Sequence, residues 1–351
     1  MNLNIFKKKN IIVTGHSGFK GSWLFHWLNK LEANVIGISK NIPTHPSHYK
    51  TLSFKKKSFW IDIRNKKKLK KKILNFQPDF IFHLAAQSLV FESIKNPVDT
   101  WNTNLIGTLN ILESLRSYKK KCSVVLVTSD KCYENLEIKR GYLENDKLGG
   151  SDPYSASKAS TEIMIKSYVK TFFNNQTNVR IATARAGNVI GGGDWSNSRI
   201  IPDCVKSWTK NKTMILRSPN STRPWQHVLE PLRGYLILAK NLYQSKELHG
   251  TSFNFGPNKN MKKKRVIDVV KYFSNFWKNS KWRVITPKNS IESKLLSLNC
   301  YKAKKKLGWT TILSSDEALK FTSDWYNNFY SKDKIKNFSL KQIISYEKKN
   351  K

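Results

Sequence analysis

The chain has 351 residues, of which 39% are hydrophobic and 12% aromatic, enough apolar surface to offset chain entropy and too much for a disordered polymer. Its 63 basic and 24 acidic side chains leave a net charge of +39, yet 52 of the cations are lysines and only 11 are arginines, and bidentate recognition of bases and phosphates favours arginine. With no helix-turn-helix, zinc-finger or RNA-binding signature beside them, the lysine runs read as a solvated surface that draws in small anions; no specific nucleic-acid partner is expected.

No apolar run approaches the roughly 20 residues that span a bilayer, and the apolar stretch Ile11 to Val13 behind the basic start is too short for a signal-peptide core. A cytoplasmic protein without membrane contact is expected. Cys122, Cys132, Cys204 and Cys300 form no C-x-x-C pair, so neither a disulfide framework nor a metal site is expected.

Continuous apolar runs of strand length occur at Asn10–Thr14, 34–38, 58–62, 79–83, 123–128 and 179–185, the pattern of strands buried on both faces. Helical stretches at Phe19–Lys30, Lys66–Phe76, 97–116 and 153–173 fall between them. Strand and helix alternating in this way predict an α/β fold, a doubly wound parallel sheet of the Rossmann kind. After Arg185 the pattern is irregular, with Gly191 to Gly193, Pro202, Pro219 and Pro224, before a helix over 230–242 and a strand at Ser252–Phe255. From Met261 the chain reads as helix, strand and helix. Residues 1–187 are therefore expected to form a dinucleotide-binding domain to which 224–256 return, with 188–223 and 257–351 forming a smaller, partly interleaved substrate lobe.

The segment Gly15-His16-Ser17-Gly18-Phe19-Lys20-Gly21 joins the first strand to the first helix. Small residues there let the backbone approach a pyrophosphate at a helix N-terminus, where unpaired N–H groups favour negative charge. The acidic residue expected about 20 positions later to hold a ribose is missing, because the second strand ends Ile38-Ser39-Lys40; NAD and NADP are thus less well separated. Asp62 either receives an adenine amino group or caps the following helix. Tyr154 and Lys158 lie four apart on a helix and share a face, where an ammonium can lower the phenol pKa so that the phenolate takes a proton from a hydroxyl as hydride leaves.

Taken with His83-Leu84-Ala85-Ala86-Gln87 and Asn104, these residues resemble the extended short-chain dehydrogenase/reductase family, in its nucleotide-sugar branch. The resemblance runs over nearly the whole chain and includes T-S-D-K-C-Y-E-N (128–135), G-G-S-D-P-Y-S-A-S-K (149–158), R-A-G-N-V-I-G-G-G-D-W (185–195) and R-P-W-Q-H-V-L-E-P-L (223–232). It implies a dehydratase of deoxysugar or lipopolysaccharide synthesis that acts on CDP-glucose, carries NAD and forms a homodimer through helices 97–116 and 153–173. A nucleotide-sugar 4-epimerase, a dehydratase for another nucleotide, and a non-catalytic NAD(H)- or nucleic-acid-binding protein are the competing readings. By the same resemblance Gly15, His16, Gly18, Phe19, Lys20, Gly21, Asp62, Ile63, Leu84, Ala85, Ala86, Gln87, Asn104, Tyr154 and Lys158 line the cofactor, and Gln87, Ser129, Asn188, Arg199, Arg223 and Glu292 the substrate. Ser129 would bond the oxygen at sugar carbon 4, and a protonated Asp130 would donate to the hydroxyl leaving carbon 6, although Asp130 also suits a turn cap. Lys131 stands where the dTDP-glucose branch has the Glu that deprotonates carbon 5; it implies either a neutral base or a cation that stabilises the enolate. Phe91 departs from an Arg usual in the family.

Overall fold

The computed structural model describes residues 2–54, 57–175, 178–258, 264–285, 296–331 and 334–350. Seven strands, β1 (Asn10–Thr14), β2 (Asn34–Ser39), β3 (Ser58–Trp60), β4 (Phe80–His83), β5 (Cys122–Val127), β6 (Val179–Ala186) and β7 (Ser252–Phe255), form one sheet in the order β7-β6-β5-β4-β1-β2-β3. Every pairing in it is parallel, as the expected doubly wound α/β fold requires.

Alternate residues of each strand serve opposite cores. Ile11, Val13, Val125 and Ala182 join Trp23, Leu24 and Leu236 on one face, whereas Ile12, Val124 and Ile181 join Leu69, Ile111 and Ile165 on the other. The first core is covered by helices α1 (Phe19–Lys30) and α5 (Leu229–Gln244), the second by α2 (Lys66–Phe76), α3 (Gly107–Leu115) and α4 (Pro153–Tyr168). Burial on both faces explains why these strands are unbroken apolar runs instead of alternating ones.

Several boundaries differ from the sequence reading. The third strand stops at Trp60, two residues early, because Asp62 accepts the Arg64 backbone N–H at 2.9 Å and turns the chain. The cap of α2 is Asn65, whose side chain accepts from Lys68 N–H, so the capping role considered for Asp62 falls to Asn65. The stretch 97–116 contains a π-type turn at Asn102–Ile106 between Pro97–Trp101 and α3, and α4 likewise ends in a π-type turn at Val169–Phe173. Such turns displace the backbone ladder and re-aim a side chain; the first presents Asn104.

The last third holds more helices than its pattern suggested. Val266–Ser274 and strand Trp282–Val284 are followed by three helices, Tyr301–Leu307, Ser315–Tyr330 and Ile335–Lys348. Gly308, with φ at +61°, ends the first, and a reciprocal Ser314–Glu317 capping box starts the second. The third lies against α1, where Trp27 Nε1 donates to Glu347 at 2.8 Å. Among the described residues, no helix is long and apolar enough to cross a membrane.

Candidate active site

The sheet order reverses between β1 and β4, and a doubly wound sheet opens a crevice at such a point. The glycine loop sits there. Gly15 has φ at +72°, and a Cβ on it would lie 2.7 Å from the Ala85 nitrogen, so the chain leaving β1 runs against the chain leaving β4. At Gly21 a Cβ would fall 2.0 Å from the Gly15 oxygen. Gly18 precedes α1 without a side-chain cap, and no acidic residue occupies the first turn. These features fit an anionic pyrophosphate seated at the α1 N-terminus.

Around this loop the sequence-predicted residues divide. Leu84, Ala85 and Ala86 follow β4 directly, and Ile63 is buried beneath Gly107. Asn104 accepts Gln87 N–H at 2.9 Å and donates to Gln87 O at 3.0 Å and Ser157 Oγ at 2.9 Å, locking the loop after β4 to α4. The Gln87 amide is turned into its own loop, donating to Leu89 O at 3.0 Å and Thr100 Oγ1 at 2.9 Å. His16 points inward, its ring nitrogens bonded to Ser39 Oγ at 2.8 Å and Ser58 Oγ at 2.9 Å, and burial lowers its pKa to about 4. Asp62 is engaged by Arg64 through Nε and Nη2, which holds its carboxyl below the usual range.

At the end of β5 a single 3₁₀ turn, Asp130–Cys132, is capped by Ser129. The Ser129 hydroxyl accepts Lys131 N–H at 3.2 Å and donates to Asp130 Oδ1 at 3.0 Å. Asp130 is 3% exposed, and burial pushes its pKa up against the opposing effects of Lys131, Ser129 and Lys20. Burial of this kind penalises the ionised form of the carboxyl.

Helix α4, capped by Asp152, carries Tyr154 and Lys158 into the same place, both buried. Burial raises the Tyr154 pKa to about 12, and the Ser129 hydroxyl and Arg199 guanidinium are the neighbours that most favour its ionised form. Lys158 is lowered to about 8, by burial first and by Lys20 next. Ser129, Asp130, Tyr154 and Lys158 thus form one buried group of donors and acceptors beside the glycine loop.

The sequence pattern of the family described as GDP-mannose 4,6 dehydratase matches residues 12–322. The chain belongs to this family. It is 39% identical over 349 residues to a CDP-glucose 4,6-dehydratase of Salmonella typhimurium, covering 98% of this chain and 97% of that protein. A solved dTDP-glucose 4,6-dehydratase from Bacillus anthracis in complex with NAD shares the fold at a TM-score of 0.75 and 23% identity, covering 93% of this chain and 99% of that one. A UDP-glucose 4-epimerase from Thermotoga maritima with UDP-glucose does so at 0.77 and 22%, covering 92% and 99%. The fold is therefore shared by dehydratases and epimerases and does not by itself separate the two chemistries.

Within this dehydratase-family chain the remaining predicted residues are unevenly placed. Arg199 Nη1 bonds Asp194 Oδ2 at 2.8 Å, and its guanidinium acts on Tyr154 and Lys20. Lys20, predicted only as part of the cofactor loop, reaches the same buried cluster as well, lowered to about 8 by burial and Arg199 and supported by Asp130 and Asp194. Asn188 is half-buried, and its backbone oxygen accepts Gln226 N–H at 3.3 Å. Arg223 lies in a short strand, Thr222–Arg223, paired with Lys264–Arg265, and its side chain is outside the described residues, as is the whole of Glu292. Phe91, the departure noted in the sequence, has the Arg217 guanidinium 5.6 Å from its ring centre, so a cation stands beside it from another part of the chain. Asp194 and Glu162 were missed. The first lies inside the string 185–195, and the second lies four residues beyond Lys158, a helical spacing that was available as a signal. Among the described residues, no cluster of three His, Cys, Asp or Glu could hold a metal ion.

Proposed function

We propose that this chain is an NAD-dependent CDP-glucose 4,6-dehydratase, a hydro-lyase that converts CDP-glucose to its 4-keto-6-deoxy product. The observation that carries this reading is the buried Asp130 carboxyl, raised in pKa and joined through Ser129 to Tyr154: elimination of water needs an acid there and epimerisation does not. The glycine loop, Ile63, Leu84 to Ala86 and Lys158 would hold the cofactor, with the close approach of Gly15 to Ala85 shaping its seat. Bound NAD supplies reversible storage of one hydride, leaving carbon 4 and returning to carbon 6.

Tyr154 takes the proton of the carbon 4 hydroxyl as a phenolate, a form that burial disfavours, that Ser129 and Arg199 favour, and that the Lys158 ammonium is assigned to support. Ser129 hydrogen-bonds the same oxygen. Oxidation at carbon 4 makes the carbon 5 hydrogen acidic, because the carbanion is delocalised into the ketone. Lys131 is assigned to carbon 5, as the neutral base that takes its proton and returns one there when hydride reaches carbon 6, or as the cation that stabilises the enolate while that proton is exchanged with solvent water. Asp130 then protonates the hydroxyl leaving carbon 6. Arg199 and Arg223, with Asn188, are assigned to the substrate diphosphate, which needs cationic and amide donors. Gln87 and Glu292 are assigned to the substrate as well.

The name of the Salmonella relative supports the nucleotide, and the NAD bound by the Bacillus anthracis enzyme supports the cofactor. Within the chain, 1–187 with 224–256 is proposed as the cofactor domain and 188–223 with 257–351 as the substrate lobe, working in the cytoplasm on deoxysugar or lipopolysaccharide synthesis. A homodimer is proposed through the helical stretches 97–116 and 153–173, which leave Val98 70% and Ile163 58% exposed along with Ile106 and Phe172. Incubation with CDP-, dTDP-, UDP- and GDP-glucose, followed by NMR of the products, tests the reading. A 4-keto-6-deoxy sugar formed preferentially from CDP-glucose is expected; a 4-epimer that keeps its carbon 6 hydroxyl would refute it.

A further inference from the structure

Beneath the catalytic group lies a buried ion pair to which the proposed reaction assigns no part. Glu162 sits on α4, four residues beyond Lys158 and eight beyond Tyr154, so the three share a helical face. Its carboxylate meets Arg185 of β6 in a two-pronged contact, with Nη2 at 2.8 Å and Nε at 2.9 Å. Three hydroxyls donate to the same carboxylate: Thr183 Oγ1 of β6 at 3.0 Å, Ser252 Oγ of β7 at 3.3 Å, and Oγ1 of Thr128, the residue immediately before Ser129. Arg185 spreads the network further, through Nη1 to Tyr133 Oη at 2.8 Å and through Nη2 to Ser252 Oγ of β7 at 3.1 Å. Tyr133 directly follows the turn that holds Asp130 and Lys131.

One carboxylate thereby joins the two segments whose mutual placement the chemistry requires. The helix brings Tyr154 and Lys158; the strand end brings Ser129 and Asp130. We propose that Glu162 is a positioning residue of the reaction, one that registers helix α4 against the end of β5 through Thr128 and Arg185 and presents a negative charge to Lys158. This inference rests on the catalytic roles proposed for Tyr154, Lys158, Ser129 and Asp130.

A buried pair is a weak argument for stability, because desolvating two charges offsets their attraction. Fixing geometry is a better-supported use here, since a shift of about 1 Å between reacting groups costs on the order of 100-fold in rate. The groups facing Lys158 are Lys20 from α1, Cys132 from the 3₁₀ turn, His83 from β4 and Glu162 from its own helix. Lys20 disfavours the ammonium and Glu162 favours it; the Cys132 thiol, pushed up by burial, stays neutral. Without the Glu162 charge, Lys158 loses its proton at lower pH, and the alkaline limb of the activity profile moves in that direction.

The test compares purified Glu162→Gln, the charge-free double variant Glu162→Gln/Arg185→Met, and Thr128→Val with the natural protein and with Tyr154→Phe. The double variant leaves no buried ion unpaired, so it remains informative where Glu162→Gln alone fails to fold. Glu162→Gln and the double variant are expected to lose about 10- to 100-fold in kcat, with KM for CDP-glucose within about threefold and unchanged bound NAD; the alkaline limb falls by roughly half a pH unit or more in Glu162→Gln and by less in the double variant, which also removes the Arg185 cation. Thr128→Val is expected to lower kcat with the limb unmoved. If the folded variants lose only thermal stability and turn over with the natural kcat and pH profile while Tyr154→Phe is inactive, the positioning role is overturned and the catalytic assignment stands. An active Tyr154→Phe would instead overturn the assignment on which the inference rests.

Discussion

Replacing Asp130 by Asn separates the two halves of the proposed reaction. Asn keeps the size of the side chain and an oxygen able to accept the Ser129 hydroxyl now bonded at 3.0 Å. The residue is 3% exposed, and burial raises its carboxyl against the opposing effects of Lys131 and Lys20, so the amide removes a desolvation cost together with the smaller attractions that oppose it. Folding should therefore change by no more than about 1 kcal/mol. The chemical effect is far larger: loss of one positioned general acid costs about 10²- to 10⁴-fold, or about 3 to 5 kcal/mol of barrier. Oxidation at carbon 4 does not use this proton. In a single turnover with CDP-glucose, followed by absorbance of reduced NAD and by quenched product analysis, the variant should accumulate enzyme-bound NADH and a 4-keto sugar that still carries its carbon 6 hydroxyl. Water loss at the natural rate would assign the acid to another group and remove the main residue-level argument for a dehydratase.

Tyr154→Phe should abolish NADH formation in the same single-turnover assay while leaving the cofactor content of the purified protein unchanged. Acid should destabilise the fold earlier than carboxylate protonation alone: His16 and His26 are lowered to about 4 and His83 and His227 to about 3 by burial. Their neutral forms are favoured in the folded state, so their stabilisation is complete above the unfolded pKa of about 6.5 and is lost as pH falls below it, by about 2 kcal/mol per ring at pH 5. The raised carboxyls of Asp130, Glu144 and Glu230 act in the opposite direction, and thermal melts between pH 7 and 5 should show a net fall in Tm; a flat profile would contradict the buried, neutral histidines. Val98→Glu/Ile163→Glu should convert the proposed homodimer to monomer in light scattering, and an unchanged mass would place the interface elsewhere.

The parallel sheet was legible because its central strands are buried on both faces, so Ile11 to Val13 and Val124 to Val127 stand out as unbroken apolar runs between helical stretches. The glycine loop was legible for a similar reason, since close packing of Gly15 on Ala85 leaves a visible demand for a missing side chain. Three contributions escaped a linear reading because they depend on approach in space. Asp194 reaches Arg199 across a loop, Lys20 turns from the cofactor loop toward Asp130, and Glu162 gathers Thr128, Thr183 and Arg185 from two other strands. The C-terminal helices were hidden by composition. Lys302 sets its ammonium 4.8 Å from the Phe253 ring centre and donates to Ser252 O at 2.9 Å, so a residue that reads as solvated surface makes a cation–ring contact with the sheet.

The central claim is that one active site oxidises carbon 4, eliminates water across carbons 5 and 6 and returns the same hydride to carbon 6. CDP-glucose deuterated at carbon 4 tests it most directly, with the product analysed by NMR and mass spectrometry. Deuterium recovered at carbon 6 of a 4-keto-6-deoxy sugar, without net NADH, is the predicted result; deuterium retained at carbon 4 of an epimerised hexose, or lost to free NADH, would contradict the account.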